Sequence, residues 1–178
     1  MEFLRAVFWD HYYFLIYIND LTSVIKDTEC RIYLYADDAK IYRNITNVED
    51  VQCLQRVIDR VIKWCDEWLL PLNVNKCKGM TLTSNITKNT SYIVNIKGSI
   101  YNIEKVDCIK DLGILIDSQL TFKDNIRDKI NKAYSMIGLL KRNFINIDCK
   151  TFILLYKALV RPHLEYANSV WLPYKKVI

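Results

Sequence analysis

The run Arg31-Ile32-Tyr33-Leu34-Tyr35-Ala36-Asp37-Asp38-Ala39-Lys40-Ile41-Tyr42 constrains this chain more than any other stretch. Apolar and aromatic residues lead up to two adjacent aspartates and then resume. Strand side chains alternate, so Ile32 and Leu34 share one face and Tyr33 and Tyr35 the other. Ala36-Asp37-Asp38 reads as the turn of a hairpin, because Asp accepts turn geometry and is poor inside strands. Two carboxylates at such a tip repel each other, and a divalent cation would offset that charge. A hard oxygen site suits Mg²⁺, which takes one or two carboxylates plus substrate phosphates. Two such ions, roughly 3.5–4 Å apart, can activate an attacking oxygen and stabilise a leaving one. On the dipeptide alone, a solvated turn is the commoner explanation.

The flanking segments alternate between helix and strand periods. Phe14 to Ile25 places Leu15, Ile18, Leu21 and Ile25 on one side of a short amphipathic helix. Thr46 or Asn47 can cap a helix from about Val48 to Leu70. Along it Val51, Leu54, Ile58, Val61, Cys65 and Trp68 recur at three- and four-residue steps, and Pro71 stops it. It should cover the apolar side of the Asp37-Asp38 hairpin. Trp64 and Trp68 belong to the core or its rim. Tyr92–Ile96 and Ser99–Ile103 flank Lys97-Gly98 as a second hairpin, and Val106–Ile116 holds a further strand pair. From Thr121 a helix carries the stripe Phe122, Ile126, Ile130, Ala133, Ile137 and Leu140, with Asp124 in its first turn and Lys123, Arg127, Lys129, Lys132, Lys141 and Arg142 on its flanks. Asp148 can cap another helix, which Arg161-Pro162 ends or kinks.

Charge is unevenly placed. The chain is +5 overall, yet from Thr121 onward there are eleven Lys or Arg against four Asp or Glu, leaving the remainder at −2. A basic third beside an acidic hairpin fits a protein that meets phosphates with one part and metal with the other. A solvated helical surface explains it equally well. The six cysteines form no Cys-x-x-Cys pair and have no His-x₃₋₅-His partner, which argues against zinc; they read as small core residues in a reducing compartment. Tyr12 to Ile18 is too short to span a bilayer. Glu2, Arg5 and Asp10 make the start a poor signal peptide. The protein is therefore expected to be intracellular, so the sequons Asn85-Ile86-Thr87 and Asn89-Thr90-Ser91 would go unused.

Tyr35-Ala36-Asp37-Asp38 resembles the catalytic box of reverse transcriptases. Phe14–Leu21, Leu72-Asn73-Val74-Asn75-Lys76-Cys77-Lys78, Asp111-Leu112-Gly113-Ile114 and Leu159-Val160-Arg161-Pro162-His163-Leu164-Glu165-Tyr166 resemble, in the same order, segments of non-LTR, jockey-like retrotransposon polymerases. The resemblance implies an α+β fold: 1–13 an atypical N-terminal segment, 14–119 a partial polymerase palm with an antiparallel sheet backed by helices, and 120–178 a helical thumb. It implies addition of dNTPs to a DNA primer on an RNA template with two Mg²⁺. Asp37 and Asp38 would be catalytic metal ligands. Lys76 would act as general acid toward the departing pyrophosphate, with Lys78 of similar reach. Gly113 would lie in the hairpin that grips the primer, although a glycine that merely permits a bulge fits as well. Lys123, Arg127, Lys132, Lys141 and Arg142 would meet nucleic acid. The place of action implied is nuclear, at the site of target-primed reverse transcription. Oligomeric state is left open.

The chain departs from that family in one place. Where the family has a Pro-Gln-Gly…Gly-Pro loop, Arg5 to Tyr13 holds neither glycine nor proline, and the fingers and first catalytic aspartate have no room. The expectation is a back half of a polymerase whose third carboxylate is missing, since Glu2, Asp10 and Asp20 are out of context. Such a chain would be inactive or nearly so. Two alternatives stand beside it: a non-catalytic module holding nucleic acid through its basic helices, and a decayed remnant with a bare sheet edge.

Overall fold

The computed structural model describes residues 13–82 and 90–172. Glu2, Arg5, Asp10 and the sequon asparagines lie outside them. Helices and short strands are mixed along the chain, as an α+β reading requires, and they divide into two compact units: Met1–Gly79 with Ser84–Lys105, and Met80–Thr83 with Val106–Ile178.

The described residues of the first unit begin with a helix over 13–19 (α1), followed by a 3-10 turn at Asp20–Ile25. β1 (Arg31–Tyr35) and β2 (Asp38–Tyr42) then pair antiparallel, with Tyr35 opposite Asp38 and Arg31 opposite Tyr42. α2 (Val48–Glu67) follows. Its first turn is closed by a capping box: Asn47 accepts from the Asp50 N–H, and Asp50 accepts from the Asn47 N–H. Ile18, Leu21, Val61 and Trp64 form the core, with Ile32, Leu34 and Ile41 of the hairpin packed against it. The apolar side of the hairpin is therefore covered by α1 and α2, as the strand alternation requires. Fully burying each such side chain contributes about 1.5–3 kcal/mol.

The buried face of α2 runs through Val57, Val61, Ile62 and Trp64, of which only Val61 belongs to the expected stripe. Trp64 stacks on Trp68 at 5.7 Å, and the Tyr17 ring meets Trp68 edge-on at 4.9 Å. α2 ends before Pro71 is reached. Leu69 turns left-handed at φ 56°, and the Leu70 N–H reaches back to the Cys65 carbonyl, a Schellman closure without glycine.

β3 (Lys78–Gly79) pairs in parallel with β6 (Glu104–Lys105), and β4 (Ile93–Ile96) pairs antiparallel with β5 (Ser99–Asn102). The β4–β5 turn has positive φ at both Lys97 and Gly98, the mirror-image turn that matches strand twist. Gln55 of α2 bonds the N–H and the carbonyl of Ile93 at 3.0 and 2.9 Å, so a side-chain amide replaces a neighbouring strand. Instead of the single antiparallel sheet expected, the described strands form four separate pairs, one of them parallel.

The second unit contains β7 (Cys108–Asp111) and β8 (Ile114–Asp117), an antiparallel hairpin, and then α3 (Lys123–Asn143). α4 (Cys149–Leu155) is capped by Asp148, which accepts from the Lys150 and Thr151 N–H groups. A π-helical turn, Tyr156–Val160, leads directly into α5 (Arg161–Glu165), and α6 (Asn168–Trp171) completes the described chain. The π turn leads the chain into α5 with Pro162 in that helix's first turn, where proline is tolerated. Ala133, Leu140 and Val160 form this unit's core with Met136, Ile137, Leu155, Tyr156 and Leu164.

On α3 the expected stripe is corrected in part. Asn125 and Lys129 are buried, whereas Ile130 is exposed. The cysteines are corrected likewise: Cys30 is buried, but Cys108 lies on the exposed face of β7 and Cys149 at the exposed start of α4.

Candidate active site and nucleic-acid interface

The β1–β2 hairpin presents two unlike faces. Ile32, Leu34 and Ile41 point into the core. Pairing register puts Arg31, Tyr33, Tyr35, Asp38, Lys40 and Tyr42 on the other face. Tyr33 and Tyr42 touch edge to face at 5.6 Å. Ala36 and Asp37 form the two-residue turn, with Ala36 at φ 51°, a conformation that a residue bearing a Cβ seldom adopts. Asp37 and Asp38 are both exposed. Among the described residues neither carboxylate has a hydrogen-bond or ion-pair partner, so both remain available as hard oxygen donors. Among the described residues no group of three or more His, Cys, Asp or Glu side chains converges to hold a metal. Asp37 and Asp38 are adjacent in sequence and open to solvent, and each carboxylate offers hard oxygen atoms of the kind Mg²⁺ takes.

The open end of the hairpin is anchored by residues that sequence reading passed over. Arg43, just beyond β2, bonds Asp50 of α2 at 2.6 Å, with Glu29 at 3.4 Å. The other Asp50 oxygen accepts from the Thr46 N–H, the Thr46 hydroxyl and the Asn47 N–H. The Thr46 N–H and hydroxyl, then Arg43, hold the Asp50 carboxyl far below the usual carboxylate range. The same bond to Asp50 raises the Arg43 guanidinium above its ordinary value. The three-residue spacing of Asn47 and Asp50 was a visible signal for this capping box; the ion pair across the loop was not.

Lys76 ends a 3-10 turn at Val74–Lys76 and is exposed. No hydrogen bond or ion pair joins it to Asp37 or Asp38 among the described residues. Lys78 is engaged with Glu104 at 3.3 Å.

In the second unit, Gly113 sits in the β7–β8 turn at φ 81°, after Leu112 at φ 44°. It permits a tight turn rather than a bulge. Asp117 at the end of β8 gathers the N–H groups of Gln119, Thr121 and Phe122 and the Thr121 hydroxyl, and so starts α3. Burial raises the pKa of Asp117, but these donors outweigh it and leave it lowered. At 100° per residue, Lys123, Arg127 and Lys141 fall on one face of α3, together with exposed Tyr134. Lys132 lies opposite, paired with Asp128 at 2.7 Å, and Arg142 lies to one side. Arg127 has Asp124 at 3.6 Å. Lys123, Lys141 and Arg142 carry no ion-pair partner among the described residues.

Comparison with known proteins bears on these positions. Residues 12–116 match the family described as reverse transcriptase (RNA-dependent DNA polymerase). The RNA-directed DNA polymerase from mobile element jockey of Drosophila funebris is 31% identical over 155 residues, covering 83% of this chain and 16% of that protein. Its Drosophila melanogaster counterpart is 26% identical over the same length. The retrovirus-related Pol polyprotein from type-1 retrotransposable element R1 of Nasonia vitripennis is 25% identical over 163 residues, covering 86% of this chain and 48% of that protein. The chain thus spans 16% of the length of the jockey relatives. No solved structure matches it. The matched segment is more than half of the chain and includes Asp37, Asp38, Lys76 and Gly113, and the chain belongs to the reverse transcriptase family.

Proposed function

We propose that this chain is the palm-and-thumb part of a retrotransposon RNA-directed DNA polymerase, working on an RNA template, a DNA primer and dNTPs in the nucleus. The observation that carries this reading is the Asp37-Asp38 pair, exposed and uncommitted at the tip of a hairpin whose other face is locked into a core. The palm would be the segment 14–119 and the thumb 120–178. Asp37 and Asp38 would hold Mg²⁺. When bound, the metal supplies charge stabilisation to the oxygens that attack and leave phosphorus. Lys76, on a turn of the same unit, would set its Nζ ammonium against the departing pyrophosphate and donate the proton there. Lys123, Arg127 and Lys141 on one face of α3, with Arg142 beside them, would follow the phosphate backbone. Lys132, tied to Asp128, would contribute less.

Metal binding tests the site without relying on turnover. Mn²⁺ titration followed by electron paramagnetic resonance should show binding to the chain that is lost in Asp37→Asn/Asp38→Asn, with the far-UV circular dichroism unchanged. Equal Mn²⁺ affinity in both proteins would overturn the assignment. A primer-extension assay on poly-rA/oligo-dT should show little or no incorporation by this chain alone; robust incorporation abolished by Asp37→Ala would overturn the inactivity and keep the polymerase. A second reading, a binding module without catalysis, is favoured by one observation: the carboxylate pair and the basic helix belong to different compact units. It expects duplex binding that survives loss of both aspartates.

A further inference from the structure

α4 holds four large apolar residues in succession, Phe152 to Leu155, yet none of its residues is buried. A helix that is apolar over most of its surface normally lies inside a core. Leu155 turns inward, against the cluster of Ala133, Leu140 and Val160. Ile153 and Leu154 stay outside, at 44% and 67% exposure. They stand between two lysines. Lys150, Ile153, Leu154 and Lys157 follow the i, i+3, i+4, i+7 spacing that sets side chains along one side of a helical rod. All four are exposed. Lys157 belongs to the π-helical turn that continues α4, about 10 Å along the axis from Lys150.

The charge on this stripe is uncompensated. Residues 149–160 contain no Asp or Glu. Among the described residues neither Lys150 nor Lys157 has an ion-pair partner, whereas Arg161, next along the rod, is closed by Glu165 at 2.6 Å. Asp148, just before α4, is committed to the Lys150 and Thr151 N–H groups at the helix start. An apolar pair closed at both ends by cations is the complement of a helix that carries apolar residues between acids.

Other occupants match the stripe less well. Antiparallel pairing with a second copy about Ile153 and Leu154 would bring Lys150 against Lys157 at both ends, and like charges repel. A phosphate backbone would accept the lysines but give Ile153 and Leu154 no apolar cover. A helix lying in a membrane interface has a broad apolar face with its cations on the polar side; here the apolar face is one turn long and the cations share it.

We infer that the outer side of α4 and the π turn after it docks an acidic amphipathic helix of another protein. Ile153 and Leu154 would sit among its apolar residues, and Lys150 and Lys157 would pair with its carboxylates. None of these four residues is assigned to metal, primer or phosphate, so the docking surface stands or falls separately from the polymerase reading.

The test uses the full chain and a pair of synthetic probes. One is a fluorescein-labelled helical peptide with leucines at i, i+3, i+4 and i+7 flanked by glutamates; the other has lysines in place of the glutamates. Fluorescence anisotropy at about 0.1 M salt should show the glutamate peptide binding at least about tenfold more tightly than the lysine peptide. Ile153→Gln/Leu154→Gln should weaken the glutamate peptide about tenfold. Lys150→Glu/Lys157→Glu should reverse the preference between the peptides, a result that misfolding does not produce. Far-UV circular dichroism should be unchanged in both variants, because all four side chains are exposed. Equal affinity for the two peptides, binding of neither, or full affinity in Ile153→Gln/Leu154→Gln would overturn the docking surface. It would also be overturned, in favour of another occupant, by a sedimenting dimer, by adsorption to phosphatidylserine vesicles or by duplex binding that Ile153→Gln/Leu154→Gln abolishes.

Discussion

Single residues in this chain do work that their types do not announce. Asp50 reads as an ordinary acid in a first helical turn, yet it closes a capping box and binds Arg43. Its folded pKa lies below its unfolded value near 3.9. Its stabilising contribution is therefore present above about pH 4 and is lost as pH falls toward the folded value. Asp117, Asp128 and Asp148 are lowered too and act in the same direction. The melting temperature should fall between pH 5 and pH 2, and Asp50→Asn should flatten that dependence while lowering stability at pH 7. An equally steep acid limb in the variant would refute the assignment. Gly113 gives a second residue-scale prediction. A side chain at φ 81° is strained even though the space beside Tyr166 is sufficient. Gly113→Ala should cost about 1–2 kcal/mol in urea unfolding.

At the scale of elements, the ends of helices and the faces of hairpins carry the argument. α2 closes on Leu69, which is 86% exposed and left-handed at φ 56°. Glycine is the residue that position favours, so Leu69→Gly should stabilise the protein by about 1 kcal/mol in chemical denaturation. Destabilisation would mean that Leu69 makes contacts its exposure denies. Leu21 tests the opposite case. It is 3% exposed in the cluster beneath the β1–β2 hairpin. Leu21→Ala should cost about 2–5 kcal/mol, and because that cluster seats the hairpin, Mn²⁺ affinity should fall with it. Much at this scale could be read in the sequence. The helix from Val48, the Asn47 and Asp148 caps, the Lys97-Gly98 hairpin and the tyrosine face opposite Ile32 and Leu34 all follow from short-range periodicity. The buried faces of α2 and α3 were harder to place, because periodicity gives the width of a stripe and the packed partner decides its centre. Lys129 lies buried on α3 for that reason, where its residue type suggested a flank.

The whole molecule comprises two compact units, each with its own core. Among the described residues no helix is long and apolar enough to cross a membrane. If α3 meets phosphates, duplex affinity should fall log-linearly with salt, and removing Lys123 or Lys141 should reduce the slope by about one each, whereas Lys132→Ala should change it less. Fluorescence anisotropy between 50 and 300 mM salt would read this, and three equal effects would refute the division of α3 into faces. The amino-acid order alone determined the family, through boxes legible one after another, and the local elements, through alternation and capping signals that depend on neighbours a few positions apart. Only the folded chain decided that Arg43 meets Asp50, that Gln55 completes an edge of β4, and that Lys129 and Tyr166 converge on the β7–β8 turn. Those pairings join residues that several different folds could bring together, so their energies exist only once burial has excluded water and chosen the partners.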